Sequence, residues 1–282
     1  MELILIHTVL NMLEVFTFPF MQRAFIAGVS SGFVLGWLGA FLTTKKMSFL
    51  GDGIAHASLV GVAIALFFGW PILPVSLIIA FIIAILIYLL ESNAKLSSDS
   101  AIGIIFTTSM ALGVIILSLY QGYQPELISY LFGNILIISK VDLVIILITN
   151  LIVIFILSFF FRKMVFTIFD KDGAYLSGID TWKYDLMLYI ISSLVIVLCI
   201  KLIGIILVSA LMIIPSAIAK LFSNSFKTFT IFSSLLAAVL VFFGLILSYY
   251  LDLPSGATII LFSVFTLGLS YFGRKLAIYM IR

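Results

Sequence analysis

The sequence predicts an all-α fold, a polytopic membrane bundle of about eight or nine transmembrane helices. Of the 282 residues, 64% are hydrophobic and 10% are charged, whereas a soluble domain carries roughly 25% charged residues. The mean hydropathy is +1.35. The apolar residues fall in continuous runs of about 18 or more, and the strands of a membrane barrel would instead alternate every second residue. The chain reads as one transmembrane domain over 1–282, with no attached soluble ATPase, receptor or enzyme domain and no Walker-type phosphate loop. Energy for vectorial work is therefore expected from a partner or an ion gradient.

Residues 1–20 carry Glu2 and His7 but no basic n-region or clear small-residue cleavage site, so they read as an amphipathic helix along the interface and not a cleaved signal. Spans are expected at 21–43, 54–70, 74–90, 101–120, 141–161, 186–200, 202–219, 228–250 and 257–272, separated by charged or turn-forming residues. A run at 127–139 is too short to cross and reads as a re-entrant or interfacial helix. The stretch 162–185 holds Asp170, Lys171, Asp172, Asp180, Lys183 and Asp185 and reads first as a solvated connector, then as a partner contact. Pro215 favours a broken backbone before it and a new helix start after it; Ile213 through Lys220 ends a span and flows into Ser223-Asn224-Ser225, so that 213–225 reads as a cytoplasmic segment. Leu253-Pro254-Ser255-Gly256 reads as a tight turn.

Orientation follows from the basic residues. Lys45, Lys46, Lys95, Arg162, Lys163, Lys171, Lys183, Lys220, Lys227, Arg274, Lys275 and Arg282 thread to one side. Arg23, Lys140 and Lys201 thread to the other, which makes twelve and three of the 15. The first side is then cytoplasmic, with the N-terminus outside and the C-terminus inside. The basic residues form no patch of the kind nucleic acid requires. Cys199, the single cysteine, lies in an apolar run and reads as a buried inert thiol.

Chemistry concentrates at Asp52 and His56. Residues at i and i+4 share a helix face, and this pair opens an apolar run that continues to about Phe68. An acid and an imidazole at membrane depth are costly unless they line a wet path or hold something. Together they are ordinary ligands for a divalent transition metal. Two ligands are too few for a closed structural zinc site, and they suit a transient site that keeps positions for water or for a second copy's pair. Hydrogen bonding between helices is the plainer alternative. Ser109, Asn134 and Ser209 read as helix–helix contacts. No HExxH, Ser/Lys or paired-aspartate arrangement appears in the spans, which removes most intramembrane protease chemistry. Small residues at Gly28, Gly32 and Gly36, and at Gly53, Ala57 and Gly61, form ridges along which helix backbones approach. The Gly53 ridge is offset by one residue from the Asp52–His56 face, so one edge of the span packs while the next faces a cavity.

The stretch Met47-Ser48 through Gly61 has a Gly-Asp-x-x-x-His-Ala-type motif. With Tyr130-Leu131-Phe132-Gly133-Asn134, Gly204 through Ile214-Pro215-Ser216-Ala217, and Pro254-Ser255-Gly256, it resembles the permease subunits of bacterial zinc and manganese ABC importers over roughly 20–272. The resemblance implies a homodimer with the pathway at its interface, two cytoplasmic ATPases, an extracytoplasmic metal-binding protein and a bacterial cytoplasmic membrane. It assigns metal passage to Asp52 and His56, and ATPase coupling to Pro215, Ser216, Ala217, Ala219 and Lys220. It implies a transported ion and no resident cofactor, with ATP used by the partner. Ala55-His56-Ala57-Ser58-Leu59-Val60-Gly61 lacks the proline of many manganese-type members and is more similar to zinc-type ones. Zinc is the expected cargo, with manganese or iron next. A metal-chelate or vitamin B12-type permease would want a wider cavity and no such pair. An intramembrane metalloenzyme would need a third ligand and a general base.

Overall fold

The computed structural model describes residues 15–94, 96–119 and 138–281, all helix or connector with no strand among them. Residues 1–14, the Tyr130–Asn134 motif and most of the short 127–139 run lie outside the described residues. A 3-10 turn at Val15–Thr17 leads into α1 (Pro19–Thr44), α2 (Leu50–Ala57), α3 (Leu59–Phe68), α4 (Ile72–Ala94) and α5 (Ser98–Leu119). There follow α6 (Lys140–Phe159), α7 (Phe161–Phe169), α8 (Lys171–Leu176), α9 (Thr181–Ile203), α10 (Ile205–Phe222), α11 (Phe226–Leu251) and α12 (Ser255–Ile281). Counting Leu50–Phe68 as one, nine helices among the described residues are long and apolar enough to cross a membrane.

Local chemistry fixes the helix ends. Pro19 opens α1, where its missing N–H costs nothing. Ser139 with Asp142 and Ser225 with Thr228 form reciprocal caps at the starts of α6 and α11. α3 ends at Gly69 (φ 69°), with Trp70 N–H donating to Ala65 and Gly69 N–H to Leu66. α1 ends with the same bonding pattern, Met47 N–H to Leu42 and Lys46 N–H to Thr43, but the left-handed residue is Lys46 (φ 58°). A non-glycine residue in that conformation costs about 1–2 kcal/mol, so the corner between α1 and α2 is held by its surroundings. Met47 and Leu50 are fully buried there.

α1 is the hub and packs most extensively on α11, then on α10 and α6. Lipid is as apolar as leucine, so close approach and polar contacts hold the helices together. A Cβ on Gly36 would meet Ser233 O at 2.5 Å and Ala237 Cβ at 2.8 Å, so only glycine lets α11 lie this close. Ser233 Oγ donates to Gly36 O (2.7 Å) and lies 3.0 Å from Ser216 Oγ, joining α1, α10 and α11. Gly32 faces Val241 and Ala237 on α11, Gly53 faces Ile102 on α5, and Gly61 faces Ser76 on α4, while Gly28 and Ala57 are buried. Gly39, which the sequence reading passed over, abuts Met212 and Ser216 of α10.

One sequence expectation in this part of the chain is corrected. Pro215 breaks nothing: α10 runs unbroken from Ile205 to Phe222 with the proline inside. The interruption in that region is at Gly204 (φ 80°), between α9 and α10. The stretch 162–185 is a solvated connector as expected, with Asp170, Lys171, Asp172, Asp180 and Lys183 all exposed. It folds into α7, the short α8 and the first turn of α9, with α8 closed by Gly178 (φ 79°). Asp185 is 7% exposed and pairs with two lysines, Lys45 and Lys171 (2.8 Å). The hydrogen bond and charge of Asp185 hold the Lys171 ammonium above its ordinary pKa, outweighing the burial that would lower it. Beside this cluster Tyr189 donates to Glu91, tying α9 to the end of α4.

Candidate metal-passage site

α2 and α3 form one span with a break at Ser58, whose hydroxyl turns back to donate to Ala55 O (2.6 Å). The short α2 presents the candidate pair. Asp52 lies in its first turn and His56 in its last, and a carboxylate in a first turn is favoured by the helix dipole. Gly53, Ile54 and Ala55 are buried, whereas Asp52 and His56 are only partly so. The offset of packing and ligand edges follows from 100° per residue: Gly53 presses on Ile102, and the adjacent edge faces space.

That space is a cleft of about 410 Å³ between α2 and α5, lined by Phe49, Asp52, Gly53, His56, Asp99, Ile102, Gly103 and Phe106. Its polar lining is two carboxylates and an imidazole. His56 stands edge-on to Phe106, ring centroids 5.2 Å apart and planes at 83°. Its Nδ1 is buried without a hydrogen-bond partner among the described residues. Structural metal sites usually fix the ligating imidazole through its second nitrogen; here an aromatic edge does the orienting. Among the described residues, no group of three or more His, Cys, Asp or Glu is close enough to hold a metal ion. The chain therefore brings together two adjacent candidate ligands and a third acid, Asp99, across the same cleft. Sequence reasoning missed Asp99 because it lies 47 residues beyond Asp52 in the first turn of an ordinary span. Only the packing of α2 on α5 unites them.

The expected ATPase-coupling residues are placed differently from the expectation. Pro215, Ser216 and Ala219 are buried on α10, with Ser216 Oγ donating to Met212 O (2.8 Å) and resting against α1 and α11. Ala217 is half-buried and Lys220 exposed. The larger exposed feature at that end of the bundle is the elbow of α7 and α8, where Phe169 (63%), Tyr175 (71%) and Leu176 (85%) stand out beside Lys171. Leu176 lies in the most charged part of the chain, so its exposure is not explained by lipid.

A family model described as "ABC 3 transport family" matches residues 17–273. The chain belongs to this family. It is the metal-ion ABC permease family that the motifs resemble, and its members are transport permease subunits, not enzymes. The chain is 34% identical over 255 residues to the manganese import system permease protein ScaB of Streptococcus gordonii, covering 90% of this chain and 91% of the relative. It is 31% identical over 258 residues to the high-affinity zinc uptake system membrane protein ZnuB of Haemophilus influenzae, covering 92% and 99%. Among solved structures, PsaBC from Streptococcus pneumoniae in complex with Fab superimposes with a TM-score of 0.80 at 30% identity, covering 94% of this chain and 95% of the other. The all-helical multi-pass fold is thus the fold of an ABC importer permease.

Proposed function

We propose that this chain is the permease of an ATP-driven importer of divalent transition-metal ions and that its cargo is zinc. The observation that carries the reading is the Asp52–His56 edge of α2, which faces an open cleft while the neighbouring Gly53 edge packs on Ile102. One carboxylate and one imidazole per chain, doubled by a second copy, supply two oxygen and two nitrogen ligands. Four mixed ligands suit tetrahedral Zn²⁺ better than Mn²⁺, which takes about six oxygen-rich positions. The unheld His56 Nδ1 fits a site that must release its ion. Manganese is the second reading, favoured by the 34% identity to ScaB, and Asp99 puts a further carboxylate on the wall of the same cleft.

The proposed assembly is a pair of permease chains with two cytoplasmic ATPases, fed from outside by a metal-binding protein, in a bacterial cytoplasmic membrane. The charge bias that puts Lys45 and Lys171 inside also puts the α7–α8 elbow there. We assign the main ATPase contact to that elbow, through Tyr175 and Leu176. Lys220 and the half-buried Ala217 at the end of α10 are assigned a secondary contact, since Pro215, Ser216 and Ala219 are enclosed.

The test is uptake of radioactive zinc and manganese by proteoliposomes carrying the purified complex. Asp52→Asn and His56→Ala are expected to lose nearly all uptake while still inserting and retaining the ATPase. Wild-type uptake in both variants would overturn the site. Wild-type uptake of manganese alone would replace zinc and leave the permease reading intact.

A further inference from the structure

Asp185 occupies a position that metal passage does not by itself require. Its carboxylate is buried at the start of α9, and each oxygen takes a different lysine. Lys45 caps the end of α1 and sits at the corner that leads, through left-handed Lys46 and buried Met47, into α2 with Asp52 and His56. Lys171 opens α8, the elbow that carries Tyr175 and Leu176. α9 also packs directly on α2, and α8 on α9. One carboxylate thus joins the root of the helix that bears the candidate ligands to the root of the exposed elbow. The two lysines are 126 residues apart in sequence and meet on this one carboxylate.

We propose that Asp185 is a positioning residue that couples the α7–α8 elbow to α2, so that displacement of the elbow by the ATPase moves the Asp52–His56 edge relative to α5. The proposal rests on the reading of the elbow as the ATPase contact. Charge-assisted bonds around a desolvated carboxylate are directional and costly to break, which suits a rigid link. The corner they hold contains a left-handed lysine, a conformation that persists only where its surroundings impose it. A staple with only a structural role would need Lys45, which fixes the corner, and would be indifferent to Lys171, whose side chain is 63% exposed.

That difference defines the experiment. The full complex carrying Lys171→Met is reconstituted beside wild type, Asp185→Asn and Asp185→Glu, and radioactive zinc and manganese moved per ATP hydrolysed are measured. Lys171→Met is expected to fold, keep the ATPase bound and hydrolyse ATP at close to the wild-type rate. Ions moved per ATP should fall about tenfold, within the usual range of coupling between sites. Asp185→Asn should fall at least as far, and Asp185→Glu, which keeps the charge, should recover most of the ratio. A wild-type ratio in Lys171→Met would overturn the proposal, whatever Asp185→Asn does. A wild-type complex that hydrolyses ATP yet moves neither ion would instead overturn the permease reading, so the two failures are distinguishable.

Discussion

Gly53→Ala probes both the packing of α2 and the cleft beside it. A Cβ at residue 53 would stand 2.5 Å from Ile102 Cγ2, whereas carbon atoms rest about 3.5–4.0 Å apart. The shortfall is roughly 1 Å or slightly more. Ile102 is β-branched and helical, so its Cγ2 has essentially one χ1 position and cannot swing aside. α2 and α5 must separate instead, at an overpacking cost of about 1–3 kcal/mol. The same displacement opens the cleft between Asp52 and His56 on one wall and Asp99 and Phe106 on the other. Misplacement by about 1 Å can cost up to 10²-fold in a process that depends on positioned groups, and we expect zinc uptake to fall about tenfold. Uptake by proteoliposomes, with the thermal midpoint of the detergent-solubilised complex, measures both effects. Ile102→Ala removes the opposing methyl, so the double variant should transport better than Gly53→Ala alone, with a coupling energy of about 0.5–3 kcal/mol. Wild-type uptake and midpoint in Gly53→Ala, or no recovery in the double variant, would refute the reasoning.

Ser233→Ala deletes the bonds from α11 to Gly36 O and Ser216 Oγ; at about 0.6–1.7 kcal/mol per interhelical bond the thermal midpoint should drop by several degrees, and an unchanged midpoint would contradict the three-helix junction. Leu176→Asp should leave the permease folded, because Leu176 is 85% exposed, but should abolish co-purification of the ATPase; unchanged co-purification removes the elbow from that interface. Lys171 has a pKa raised above 10.5 by Asp185, so its stabilising contribution is fully present below the unfolded-state value and is lost as pH rises through the folded one. The difference in thermal midpoint between wild type and Lys171→Met should therefore be flat from about pH 7 to 9 and shrink only above about 10.5, and a difference that varies within the flat range contradicts the pair. A strain lacking the protein should fail to grow under zinc chelation and be rescued by added zinc but not by manganese; rescue by manganese alone would reverse the choice of cargo.

The sequence by itself determined the class of fold, the approximate spans and the edge of α2 that bears Asp52 and His56. These depend on patterns local to one helix: unbroken apolar length, charges at helix ends, and i, i+4 spacing. Gly32, Gly36, Gly53 and Gly61 were legible as packing positions for the same reason, although their partners on α11, α5 and α4 were not. The helix end at Gly178 is the kind a sequence can carry, because glycine reaches positive φ freely; the end at Lys46 is not, because a lysine there is tolerated only when the surrounding fold imposes it. Pro215 misled for a related reason: its ring removes one helical bond, and burial of α10 against α1 and α11 keeps the helix continuous through it. Only the tertiary structure decided which distant groups share a space. Asp99 joins Asp52 and His56 because α5 packs on α2, and Asp185 leaves the charged connector for the interior because Lys45 and Lys171 meet it there. A lone aspartate near the end of a span has no sequence signature for burial, since its cost depends wholly on whether opposite charges converge on it in three dimensions.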